Sequence, residues 1–195
     1  MPTPDQAART RATLRRIRTA FLTLLRQAPL HQISVKELCA MAGVSRGTFY
    51  SHYRDVYDLL ARIEDELTDE IAAALSPMVT AATDATPLAL NTRIFEILRE
   101  NSDLCTVTLG PHGDKAFAGR LLRLGRDGFL ELYRSQFRTV PPEAVDYCYA
   151  FISAGYLGLL RRWLDDGTAL PPDRMARLTE GIMLRGIGMF SAPAE

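Results

Sequence analysis

The run Arg46-Gly47-Thr48-Phe49-Tyr50-Ser51-His52 gathers hydrogen-bonding side chains around one glycine and one large apolar ring. Its chemistry is that of recognition rather than bond making. An arginine fork can hold guanine O6 and N7 together, and a threonine can donate to a phosphate or touch a thymine methyl. Tyr50 and Arg54 can hold phosphates, which sets register without reading bases. Gly47 has no side chain to keep a phosphate backbone at a distance. No nucleophile–base pair can be defended elsewhere, so the chain is read as not an enzyme. Cys39, Cys105 and Cys148, with His31, His52 and His112, lack the close Cys or His spacing of a zinc site, and no metal or cofactor is expected. Gly186 and Gly188 form a G-x-G pair with no strand before it, which argues against a dinucleotide site.

Something must hold that run in place. Phe49 is the side chain to bury, Ser45 is an N-cap, and Tyr53 is expected to point inward. Ahead of it, Ser34-Val35-Lys36-Glu37 is a capping box, Val35, Leu38, Cys39 and Ala42 form an inner face, and Gly43 ends the helix. Two short capped helices joined by Ala42-Gly43-Val44 are the sequence form of a helix-turn-helix, whose second helix enters the major groove. A first helix, Gln6 to Ala28, places Leu14, Ile17, Phe21, Leu24 and Leu25 on one side and stops at Pro29. A fourth, Asp55 to Leu75, carries Val56, Leu59, Leu60, Ile63, Leu67 and Ile71 at helical spacing, with Asp55 and Asp58 in its first turn. Pro77 and the Ala/Thr-rich stretch after it mark a boundary between domains 1–75 and 76–195. Further helices are expected at 87–100, 102–109, 115–138, 142–165 and 172–190, the last two preceded by Pro-Pro pairs and the former closed by Gly167. No stretch alternates with period two for long enough to make a strand, so the fold class is all-α.

Composition agrees with a folded chain: 195 residues, 47% hydrophobic and 24% charged, exclude a disordered or fibrous protein. Formal net charge is zero, yet the first 54 residues hold nine basic and only two acidic side chains. That end carries +7 and the rest −7, an electrostatic footprint suited to a polyanion at one end. The scattered cysteines point to a reducing compartment, and the N-terminus has no apolar core of a signal peptide. The longest charge-free apolar run, Tyr147 to Leu160, is 14 residues. It falls short of the ~18 that span a bilayer and reads as a buried helix. A cytoplasmic protein with no membrane partner is expected.

GVSRGTFYSHYRDVYDLL resembles the DNA-binding signature of TetR-family bacterial transcription regulators, and the similarity runs from Thr10 to about Leu75. The resemblance implies a homodimer, with an N-terminal helix-turn-helix domain followed by a helical-bundle ligand and dimerisation domain. By position it implies DNA contacts at Ser34, Lys36, Arg46, Gly47, Thr48, Tyr50, His52 and Arg54. The lysine frequent at the start of the family's fourth helix is Val56 here, with Arg54 as the candidate substitute. FISAGYLGLLRRWLDDG is similar to the penultimate helix of the subgroup that regulates dihydroxyacetone utilisation. The partners implied are a double-stranded DNA operator, a second copy of the chain and an unknown small-molecule effector. The function expected is a ligand-responsive repressor on a palindromic operator; the alternative is an activator, or a regulator whose C-terminal domain binds another protein.

Plainer readings stand beside several of these. His52 fits a solvent-facing or capping histidine as well as it fits a DNA contact. Arg9, Arg11, Arg15, Arg16 and Arg18 form either a phosphate-contacting arm or an exposed helical face with snorkelling stems. Ser153, Gly155 and Gly158, with Gly186 and Gly188, suit close packing in a four-helix dimer interface, the alternative being a kink that opens a ligand cavity. Among aromatics that are mostly core, Phe95, Phe129, Tyr133, Tyr156 and Trp163 are the candidates to line such a cavity.

Overall fold

The computed structural model describes residues 4–80, 86–110, 115–127 and 142–185. They form nine α-helices and no strand: α1 (Pro4–Gln27), α2 (Val35–Ala42), α3 (Arg46–Tyr50), α4 (Val56–Thr80), α5 (Pro87–Glu100), α6 (Ser102–Thr108), α7 (Lys115–Leu124), α8 (Pro142–Asp165) and α9 (Pro172–Arg185). A single 3-10 turn, Leu30–Gln32, joins α1 to α2. No described helix is long and apolar enough to cross a membrane.

The helix limits follow local chemistry. Thr86 caps α5 by accepting the Ala89 N–H at 3.2 Å, and Pro87 occupies the first turn, where its missing N–H costs nothing. α8 ends as expected at the left-handed Gly167, with φ +66°. One boundary differs from expectation: α4 continues through Pro77 to Thr80 rather than ending near Leu75. A proline removes one N–H and so frees only the Ala73 carbonyl, and the Ala72-Ala73-Ala74-Leu75 run before it strongly favours helix. The expected extensions of α7 to residue 138 and of α9 to 190 run into residues outside those described.

The chain divides into two compact units. The first joins Met1–Glu66 with Val107–Asp114, and the second joins Leu67–Thr106 with Lys115–Glu195, so α4 supplies residues to both. In the first unit the core includes Ile17, Phe21, Leu24 and Leu25 of α1, Leu38, Cys39 and Ala42 of α2, Phe49 of α3, and Val56, Leu59, Leu60 and Ile63 of α4, besides Ala20, Leu22, Ile33, Val107 and Leu109. The residues named by helix are those the helical periodicity selects, except that Leu14 and Val35 are only half-buried.

In the second unit α5 packs on α9, and α9 also meets α8. The contact is tied by polar groups: Asn91 Nδ2 donates to Thr179 Oγ1 at 3.0 Å and to the Ala176 carbonyl at 3.3 Å. The Tyr156 hydroxyl of α8 donates to Asn91 Oδ1 at 3.2 Å. Asn91 thus links three helices with both ends of its amide. α8 itself departs from the expected buried helix. Leu160, Trp163 and Leu164 are buried, but Tyr147 and Phe151 on another side are 80% and 82% exposed.

Asn91→Ala removes the acceptor for Tyr156 and the donor to Thr179 together. A loss of about 1–3 kcal/mol is expected, read as a lower midpoint of chemical unfolding.

Candidate nucleic-acid interface

α3 has five residues, too short to be stable alone, and its ends are therefore decisive. At the start, Ser45 Oγ accepts the Thr48 N–H at 3.0 Å and lies 2.8 Å from the Thr48 hydroxyl. At the other end, the Ser51 hydroxyl donates to the Thr48 carbonyl at 2.7 Å. Between them Phe49 is 0% exposed and anchors the helix. The rings of Tyr50 and Tyr53 each lie 5.5 Å from that of Phe49, Tyr50 edge-on. Burial of Phe49 therefore fixes the rotation of the whole helix, and with it which residues face outward.

The turn before α3 is equally constrained. Ser34 Oγ accepts the Glu37 N–H at 3.1 Å to begin α2. α2 ends at Gly43, whose φ of +64° is in the left-handed region. The Gly43 N–H returns to the Ala40 carbonyl at 3.3 Å and that of Val44 to Cys39 at 3.0 Å, the paired bonds of a Schellman ending. The Cys39 thiol adds a longer contact, 3.9 Å, to the Ser45 carbonyl, and burial pushes that thiol above its usual range. Cys39 thus closes the turn from inside, as its inner-face position implies.

This scaffold leaves Arg46, Gly47, Tyr50, Ser51 and Arg54 exposed, with Tyr50 at 57% despite its ring contact. Ser34 and Lys36 are exposed at the start of α2. Thr48 and His52, expected on the outer surface, are half-buried. The Thr48 hydroxyl is shared with the Ser45 cap, and the His52 ring lies 6.3 Å from Tyr53. Gly47 is informative for a different reason. A Cβ there would meet nothing nearer than Ser45 Oγ at 3.7 Å, so the fold itself has room for a side chain.

Beyond α3, Val56 is buried, so the position of the family's lysine faces the core in this chain. Arg54 is exposed, as a substitute must be, but it is not free. Its backbone N–H donates to Asp58 Oδ2 at 2.9 Å and its guanidinium lies 3.4 Å from Oδ1. Asp55 Oδ1 accepts the Asp58 N–H at 2.8 Å, and Arg62 reaches Asp58 at 3.4 Å. The Arg54 N–H, followed by the guanidinium of Arg62, holds the Asp58 carboxyl below its usual range. Arg62 also covers the Tyr53 ring at 5.5 Å, while burial, followed by Glu66, pushes the Tyr53 hydroxyl upward. Sequence reading placed Asp58 in a favourable first turn but missed this cluster; the i, i+4, i+8 spacing of Arg54, Asp58 and Arg62 was its signal.

In the second unit, the structure brings together three of the five candidate ligand residues. Phe95 lies 5.7 Å from Tyr156 and 5.3 Å from Trp163, the latter edge-on. Phe95 and Trp163 are buried, and the Trp163 indole N–H donates to the Leu170 carbonyl at 2.7 Å. Desolvation raises the Tyr156 hydroxyl well above its ordinary value. This cluster packs the unit and has its polar atoms matched. Phe129 and Tyr133 lie outside the described residues. Of the candidate interface positions, Gly155 and Gly158 are exposed on α8, with nothing within 4 Å of a Cβ built on either. Ser153 lies on another side of the helix, half-buried, its hydroxyl donating to the Ala150 carbonyl at 3.2 Å. Gly186 and Gly188 lie outside the described residues. Tyr147 and Phe151, which share the exposed side with the two glycines, were missed; their i, i+4 spacing into Ala154 and Gly158 was legible.

Two family profiles match the chain: the transcriptional regulator C-terminal region over residues 86–185, and the bacterial regulatory proteins of the tetR family over residues 17–63. No curated protein matches significantly. Solved structures do. The TetR transcriptional regulator from Streptococcus agalactiae 2603V is similar with a TM-score of 0.63 at 21% identity, covering 92% of this chain and 97% of that one. The dihydroxyacetone kinase operon activator DhaS gives 0.54 at 17% identity, covering 92% and 98%. The TetR-like regulator LfrR from Mycobacterium smegmatis, in complex with proflavine, gives 0.54 at 18%, covering 93% and 99%. At such identities these likenesses are of fold. With a regulator profile over just over half of its length, and the tetR profile running from within α1 into α4, the chain belongs to the tetR family of bacterial transcriptional regulators.

Proposed function

We propose that this regulator is a homodimeric, effector-responsive repressor whose α3 helices enter successive major grooves of a palindromic operator. The observation that carries the DNA contact is the surface of α3 itself. A helix anchored by a buried Phe49 presents Arg46, Gly47 and Tyr50 outward, and the fold makes no use of the bare glycine. Glycine inside a helix costs about 1 kcal/mol relative to alanine, and close approach of a phosphate backbone is a reason to accept that cost. Arg46 then reads a base, while Tyr50, Arg54, Ser34 and Lys36 hold phosphates and set register. Thr48 contributes through its methyl and through the hydroxyl it shares with Ser45, and His52 lies at the margin of the contact.

Two half-sites about 34 Å apart require two copies held in register. The exposed side of α8 supplies a surface for this: Tyr147, Ala150, Phe151, Ala154, Gly155 and Gly158 form an apolar, glycine-lined stripe suited to close helix–helix approach. Effector control rests on α4, which contributes residues to both units, so a ligand preferring one arrangement of the second unit biases the first. The proflavine complex of LfrR supports a small-molecule effector by analogy of fold alone. DhaS is an activator by name, which keeps activation as the second reading; a reporter fused to the operator decides the sign.

Selection of bound fragments from the source genome, with an Arg46→Ala/Tyr50→Ala protein as control, tests the central claim. A few palindromic sites lost in the control are expected; weak binding everywhere, unchanged in the control, overturns it. Three variants refine it. Arg46→Ala should relax preference at one base position, and Tyr50→Phe should weaken all sequences alike, both read by competition against single-substitution operators. Gly47→Ala should leave unfolding unchanged or raise stability by up to about 1 kcal/mol while lowering operator affinity. Phe151→Glu should shift the chain toward monomer in sedimentation and weaken palindromic binding far more than binding to a single half-site.

A further inference from the structure

The amino-terminal turns of α1 do nothing for the core. From Pro4 to Ala12 there is no apolar side chain larger than proline, and the first fully buried residue is Ile17. About 20 Å of helix, at 1.5 Å per residue, therefore precedes the packed part of α1. Along it Arg9, Arg11, Arg15 and Arg16 meet a single acid, Asp5. Arg9 pairs with Asp5 at 2.8 Å and Arg18 with Glu66 at 2.8 Å, whereas Arg16, exposed and without an ion pair among the described residues, has its Nη1 3.7 Å from where a Gly43 Cβ would be.

Arg11 and Arg15 are exposed, and among the described residues neither side chain forms an ion pair or hydrogen bond. They sit one turn apart on one face, with Arg18 next in the row, and no acid lies three or four residues from either. Like charges at that spacing destabilise a helix by a few tenths of a kcal/mol. Several exposed arginines elsewhere in this chain are matched: Arg54 and Arg62 share Asp58, Arg93 meets Glu96, Arg162 meets Asp166 and Arg177 meets Asp173. Two neighbouring cations left unmatched on the projecting end of α1, in the unit that carries α3, form a row suited to an external polyanion.

We infer that Arg11 and Arg15 form a second DNA contact outside the helix-turn-helix, binding the phosphodiester backbone without reading sequence. This rests on the DNA-binding reading above and extends it from α2 and α3 to the projecting end of α1. Phosphate contacts of this kind add affinity to every sequence equally and release counterions, so they are visible in the salt dependence of binding.

The test is binding of the full chain to a random-sequence duplex and to a selected operator fragment across a salt series. Arg11→Ala/Arg15→Ala is compared with the unaltered chain and with Arg174→Ala, an exposed arginine of α9 in the other unit that controls for loss of a surface cation elsewhere. The double variant touches no core residue and removes a repulsion, so it should fold at least as well. Its slope of log K against log salt should fall by about 0.9 for each phosphate no longer neutralised, near 2 per chain, with the operator-to-random preference unchanged. Arg11→Lys/Arg15→Lys should restore the slope, and Arg174→Ala should not alter it. An unaltered slope in the double alanine variant, with operator binding intact, overturns the inference and leaves the role of α3 standing; such arginines would then suit an acidic protein partner. A changed preference would mean base reading and overturn it as well. If the unaltered chain binds neither duplex, the DNA-binding reading fails and the inference with it.

Discussion

Burial of one side chain, Phe49, holds α3 and its outward face in place. A five-residue helix has too few internal hydrogen bonds to persist, and α3 exists because its anchor is fully buried and the helix packs on α2. Ser45 and Ser51 finish the two ends, and the left-handed Gly43 sets the direction from which the helix begins. With the anchor, the two caps and the turn all specified, the backbone of α3 is set before any partner arrives, and only exposed side chains such as Arg46 and Tyr50 remain to be ordered. A preorganised surface of this kind spends little of its interaction energy on ordering itself.

Charge is distributed with the same economy. In the first unit, Asp58 gathers the Arg54 N–H, the Arg54 guanidinium and Arg62, and Arg62 in turn covers the Tyr53 ring that leans on Phe49. At the start of α4 the Arg54 and Asp58 amides are thereby taken by the protein's own carboxylates. A phosphate at Arg54 would compete with Asp58 for its guanidinium. This differs from a lysine at position 56, which the buried Val56 replaces by a core contact.

The second unit combines a matched interior with an open flank. Asn91, Thr179 and Tyr156 satisfy one another, and Trp163 spends its N–H on the Leu170 carbonyl, so the aromatic cluster around Phe95 carries its own polar partners. α8 supplies Trp163 to that interior and Phe151, on another side of the helix, to the surface. A charge-free helix looks uniformly buried when only its composition is considered. Which half meets its own chain is set by where α5 and α9 lie.

Much of the first unit was legible because its signals are local. Ser34, Gly43, Ser45 and Phe49 each act over fewer than five residues, and capping, left-handed turns and a lone large apolar residue leave plain marks in a sequence. The end of α4 was misjudged because proline was treated as a stop, whereas the alanine-rich run before it bears the loss of one hydrogen bond. The half-burial of Thr48 and His52 was not legible, since it depends on how far Phe49 sinks and how Tyr53 tilts. Local chemistry alone determined the helices, their caps, the helix-turn-helix and the excess of cations at one end. Tertiary structure decided which of those cations are matched, that Arg54 lies against Asp58 while Arg11 and Arg15 face solvent, and that one side of α8 stays open. Matching and exposure depend on which helices meet in space, and residues 48 positions apart, as in Arg18 and Glu66, carry no mark of each other in the chain.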